Sequence, residues 1–142
     1  MQAREPTSSQ LARELRDTLG RVVRRLRTEP GPPVGRLAVL SRLDADGPST
    51  IGDLAAREGT RQQSMAAIVH DLQTAGLVSR RVDPADGRRA LIELTPAGLK
   101  LLQTTHTQRE AWLTEALEHE LGANERALLH EASVLLSRIA NA

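Results

Sequence analysis

The chain has no cysteine, no phenylalanine and no tyrosine, and its only tryptophan is Trp112. The missing thiols exclude disulfides, thiolate metal sites and thiol-based redox sensing together. The missing aromatics leave a core to be built from Leu, Val, Ile and Ala. No apolar run approaches the roughly 18–20 residues that a membrane span needs, and the polar residues 1–10 do not resemble a signal peptide. Neither secretion nor membrane insertion is expected, and the expected location is the cytoplasm.

A dominant charge is also missing. Nineteen basic residues against eighteen acidic leave a net charge of +1, so nothing global advertises a nucleic-acid partner and the distribution has to be read instead. Residues 1–56 carry 9 basic and 7 acidic side chains, 57–89 carry 6 and 4, and 90–142 carry 4 and 7. The chain has no glycine-rich phosphate loop and no serine with a placed base, so it is not expected to be an enzyme or to hold a cofactor. His70, His106, His119 and His130 are too scattered for a local metal motif, although His119 and His130 could meet across helices. No metal is expected.

What is present is periodicity. At 142 residues the chain suits one compact domain. Thr7-Ser8-Ser9 supplies N-cap candidates for a helix whose apolar residues are Leu11, Leu15, Leu19, Val22, Val23 and Leu26, ended by Glu29-Pro30-Gly31-Pro32-Pro33. Its other face carries Arg13, Arg16, Arg21, Arg24, Arg25 and Arg27, which reads either as a solvated face or as a nucleic-acid contact. Leu37, Leu40 and Leu43 mark a second helix from Pro33 to about Ala45. Ser49 or Thr50 then caps a third, with Asp53 in capping-box position and Ile51, Leu54 and Ala55 facing inward. Gly59 ends it, and Thr60 with Gln63 is read as the next capping box. Two short helices joined by so tight a turn have helix-turn-helix spacing.

The helix over Arg61–Ala75 places Met65, Ile68, Val69 and Leu72 on one side. Gln63, Ala67, His70 and Thr74 fall opposite, flanked by Ser64 and Ala66. The start of such a helix comes nearest the base edges in a major groove, where Gln can read adenine and Ala can touch a thymine methyl. Arg61, Gln62 and Gln63 are equally readable as a solvated first turn. Leu77–Val82 and Ala90–Thr95 then flank Asp83-Pro84-Ala85-Asp86-Gly87-Arg88-Arg89, a β-hairpin pattern with Asp86-Gly87 as its tight-turn step. The hairpin carries Arg80, Arg81, Arg88 and Arg89, and arginine at a hairpin tip suits a narrow minor groove or a phosphate. Asp86 would be repelled by phosphate, so its expected work is to hold Arg88 or a nearby backbone amide.

Thr95-Pro96 opens a long helix to about Leu121, with Leu99, Leu102, His106, Trp112, Leu113, Ala116, Leu117 and Leu121 as its stripe. A last helix begins at Asn124 and carries Leu128, Leu129, Ala132, Leu135, Leu136 and Ile139. These helices are too apolar to stand alone, and with the first helix they are expected to pack within one chain or between two.

The order of elements, and above all Asp86-x-Arg88 followed by an alternating strand and Thr95-x-x-Gly98, resembles the MarR family of winged helix-turn-helix transcription regulators. The resemblance covers nearly the whole chain. It implies a mainly α fold with a small β-wing: a winged helix-turn-helix module over about 34–95, and dimerisation helices at 1–30 and 96–142. It implies a homodimer on a palindromic operator, with Arg88 in the minor groove, Asp86 orienting it, and Gln62, Gln63, Ser64 and Ala67 on the recognition helix. Ser49 and Thr50 would face phosphate. With Arg61, His70, Arg81 and Arg89 these complete the expected double-stranded DNA site.

The family resemblance further implies a repressor released by a small-molecule effector, for which Arg16, His106 and Arg109 are weak candidates. Two features depart from it. The lack of cysteine excludes the hydroperoxide-sensing mechanism, and the near lack of aromatics argues against a stacking pocket. The competing readings are a winged helix used only for protein contacts and, last, a metal-responsive regulator.

Overall fold

Pro30, Pro32 and Pro33 break the first helical pattern, and the later breaks fall at Gly47, Gly59, Gly76, the hairpin turn, Thr95-Pro96 and Gly122. The computed structural model describes residues 5–142, with α1 (Ser8–Leu26), α2 (Val34–Asp46), α3 (Ile51–Glu58), α4 (Gln62–Thr74), β1 (Val78–Val82), β2 (Ala90–Leu94), α5 (Pro96–Glu120) and α6 (Ala123–Ala140). It is a mainly helical fold with a two-stranded antiparallel wing. The chain forms two compact units, one ending at His106 and the other running from Thr107 to Ala142.

In the first unit, α2, α3, α4, the wing and the start of α5 share one core. Leu40, Leu54, Met65, Leu72, Ile92 and Leu102 are its largest fully buried apolar side chains. Each such burial contributes about 1.5–3 kcal/mol, and none is aromatic, as the composition requires. The core does not stop with the wing at Leu94, because Leu102 from α5 belongs to it. Ion pairs tie α2 to its neighbours: Arg42 to Glu58 at 3.1 Å, Arg57 to Asp46 at 2.6 Å, and Arg36 to Asp71 at 3.0 Å.

The α3–α4 turn departs from the sequence reading. Thr50 Oγ1 accepts the Asp53 amide at 3.1 Å and caps α3 as expected. Thr60 does not cap α4. Its amide donates to Ala55 O at 3.0 Å, closing the end of α3 behind Gly59, whose φ of 63° suits glycine. The residue at the cap position of α4 is Arg61, with no side-chain capping bond, so the capping role proposed for Gln63 is not formed.

The wing pairs Val78 with Leu94, Arg80 with Ile92 and Val82 with Ala90. Ser49, just before α3, adds a bridge to its middle: Ser49 N donates to Ile92 O at 3.0 Å and Ile92 N to Ser49 O at 2.8 Å. The connecting loop is longer than a two-residue hairpin turn. Asp83 N reaches Arg89 O at 2.9 Å, and within that frame Arg89 N donates to Asp86 O at 3.0 Å, so Asp86-Gly87 opens the inner turn.

Thr95 explains the Thr-x-x-Gly pattern. Its Oγ1 accepts the Gly98 amide at 3.1 Å and donates to Gly76 O at 2.7 Å. A Cβ at position 98 would lie 2.1 Å from Leu77 O, so only glycine fits there. Further along α5 the buried position is Thr105, whose hydroxyl returns to Leu101 O at 2.8 Å, while His106, placed on the apolar stripe by periodicity, is exposed. The last helix begins one residue earlier than expected, because Gly122 N donates to Glu125 Oε2 at 2.8 Å and sets the cap there.

Candidate nucleic-acid interface

Helix α4 presents its polar side outward because Met65, Val69 and Leu72 are buried on the other. Arg61, Gln62, Gln63, Ser64, Ala67 and His70 are all exposed. The first turn of α4 has no side-chain cap, so its amides and the positive end of the helix dipole face outward. Thr74, at the far end of the same face, is engaged by its own helix through His70 O at 2.9 Å.

Strand alternation sorts the four wing arginines. Val78 is buried, so Arg80, two residues on and opposite Ile92, shares its face of the ribbon. Arg81 points to the other face, where it pairs with Glu93. Arg80, Arg88 and Arg89 line a cleft of about 420 Å³ with Thr50, Asp53 and Gln62. Arg80 was not among the expected contacts, and the signal that separates it from Arg81 is the period of two counted from Val78.

In the wing loop, Asp86 Oδ1 accepts the Arg88 amide at 3.0 Å, which fixes the backbone that carries Arg88. The Arg88 and Arg80 guanidiniums make no hydrogen bond or ion pair among the described residues, so both are available to an anion. Arg89 is engaged, with Nη2 3.4 Å from Thr50 Oγ1 and 3.8 Å from Asp53 Oδ2. Thr50 is largely buried, and Ser49 is buried with its hydroxyl donating to Gly47 O at 3.0 Å. Three cationic side chains, a glutamine and the starts of two helices thus border one concave surface.

The effector candidates are placed as follows. Arg16 pairs with Asp17 at 2.8 Å on the exposed side of α1. His106 is exposed, and Arg109, in the second unit, has a buried Nε without a hydrogen-bond partner. Among the described residues no group of three or more His, Asp or Glu side chains could hold a metal ion, and no helix is long and apolar enough to cross a membrane.

The family model for MarR matches residues 31–89, which spans α2 through the wing loop. An uncharacterized HTH-type transcriptional regulator of Mycobacterium bovis is 34% identical over 133 residues, covering 92% of each chain. The chain belongs to the MarR family. Among solved structures, a transcriptional regulator from Pseudomonas aeruginosa is similar to this MarR-family chain with a TM-score of 0.84 at 38% identity, over 95% of this chain and 98% of that one. The PcaV transcriptional regulator of Streptomyces coelicolor, solved in complex with its natural ligand, has a TM-score of 0.60 at 26% identity over 100% and 99%. Membership makes the chain a transcription regulator of a family that is generally non-enzymatic.

Proposed function

We propose that this MarR-family chain binds double-stranded DNA sequence-specifically as a homodimer and acts as a cytoplasmic, ligand-responsive repressor of genes under a palindromic operator. The observation that carries the reading is the common surface made by the exposed face of α4 and the arginine-lined cleft beside it. An α-helix end fits a major groove, and free guanidiniums on a hairpin suit the adjoining phosphates and minor groove. Gln62, Gln63, Ser64, Ala67 and His70 then read or flank bases, Arg61 and Thr50 lie by phosphate, and Arg88 enters the minor groove on a backbone held by Asp86. Arg89 contributes from the cleft beside Thr50, and Arg81, on the other face of the ribbon, is at most at the edge of the contact.

The dimer reading rests on apolar surface. Neither α1 nor α6 has a buried residue, and Leu128, Val134, Leu135 and Ile139 of α6 are 55–67% exposed. A two-fold partner covering residues 1–30 and 96–142 would bury those faces and space two 34–95 modules on successive turns of DNA. The effector reading draws on the ligand complex of PcaV, with Arg16, His106 and Arg109 as its candidates here.

The test is an electrophoretic shift on the protein's own upstream region. Arg88→Ala is expected to weaken binding several-fold or more, leaving circular dichroism and dimer mass unchanged. Equal binding by both proteins overturns the assignment of Arg88, and binding by neither at low salt favours a protein-contact module instead.

A further inference from the structure

The arginine cleft holds one acidic group. Asp53 lies in the first turn of α3, where its amide is capped by Thr50, and its carboxylate is about half exposed beside Arg89. Arg89 is the only ion-pair partner of that carboxylate among the described residues. Arg80 and Arg88, which border the same cleft, have no such counter-ion among the described residues.

We propose, resting on the reading that this cleft faces DNA, that Asp53 is a positioning residue acting through Arg89. It occupies the guanidinium as an intramolecular substitute for phosphate, and so limits affinity for duplex of any sequence.

The physical argument is an exchange. When a phosphate takes Arg89, the pair with Asp53 is lost and the carboxylate is left uncompensated beside a polyanion, so the gain from the new contact is largely offset. Arg80 and Arg88 gain in full, because neither gives up a partner. Arg81 cannot replace Arg89, since it lies on the other face of the ribbon with Glu93. An exposed pair at 3.8 Å is weak, which makes the restraint a matter of tuning. Such tuning matters most on unrelated DNA, where phosphate neutralisation supplies nearly all of the binding.

The experiment measures binding of the full chain to a mixed-sequence duplex across a salt series, for wild type, Asp53→Asn, Asp53→Glu, Arg89→Gln and the double variant Asp53→Asn/Arg89→Gln. Asp53→Asn is expected to tighten binding about two- to five-fold at low salt and to steepen the salt slope by up to about one. Asp53→Glu is expected to behave as wild type, and the gain is expected to vanish when Arg89 is Gln. Weaker binding by Asp53→Asn overturns the proposal, because the pair would then be a clamp that the wing needs. A gain that survives undiminished without Arg89 also overturns it, since the effect would be simple repulsion of DNA. If wild type binds and Asp53→Asn is unchanged, this inference alone falls; if wild type shows no salt-dependent binding, the DNA reading falls with it.

Discussion

The winged module and the terminal helices treat the same kinds of residue in opposite ways. In the module, Leu37, Val39, Leu40 and Leu43 on α2, Leu54 on α3 and Met65, Val69 and Leu72 on α4 are buried to within a few per cent, whereas α1 and α6 carry comparable stripes and bury none of them. Sequence periodicity is equally clear in both. The difference teaches that an amphipathic pattern specifies a face and not its partner: the module supplies its own cover from neighbours close in sequence, and the terminal helices leave theirs open.

The largest effect that can test this contrast comes from the core. Leu54→Ala, at a fully buried site on α3, is expected to lower stability by about 2–5 kcal/mol in thermal or urea unfolding. Leu135→Asp on α6 is expected to spare the module's secondary structure and to shift the protein from dimer to monomer in sedimentation, because it places a charge on a face proposed to be shared. An unchanged dimer mass would move the interface elsewhere.

Gln63→Ala narrows the contrast to one side chain. With no capping bond to lose, it is expected to leave the melting temperature unchanged while relaxing discrimination at one operator base pair by about 1–3 kcal/mol, read from binding to single-base operator variants. The smallest effects compare two threonines. Thr50→Ala removes a formed cap and is expected to cost about 1 kcal/mol, whereas Thr60→Ala, outside any cap, is expected to be near neutral.

The same threonines show how far the fold was legible in the sequence. Element order, the hairpin and the inward faces follow from periodicity and from glycine and proline punctuation, which are local signals. Thr50-x-x-Asp53 and Thr60-x-x-Gln63 look alike as strings, yet only the first caps, because Gly59 folds the chain back and commits the Thr60 amide to α3. In the candidate site, Asp86 beside the Arg88 amide was legible, since the two are neighbours in the chain. Arg80 and Asp53 were not singled out. Arg80 needed the strand phase counted from Val78, and Asp53 needed the wing folded back onto α3, through a Ser49 bridge that no local pattern announces.

Thr95 joins the end of α4 to the start of α5. One hydroxyl fastens the glycine that follows α4 to the first turn of α5, and the absent side chain at Gly98 lets α5 close directly onto Leu77 O. The end of α4, the start of β1 and the first turn of α5 therefore meet at one joint, where a single hydroxyl and a missing side chain set the spacing of three elements.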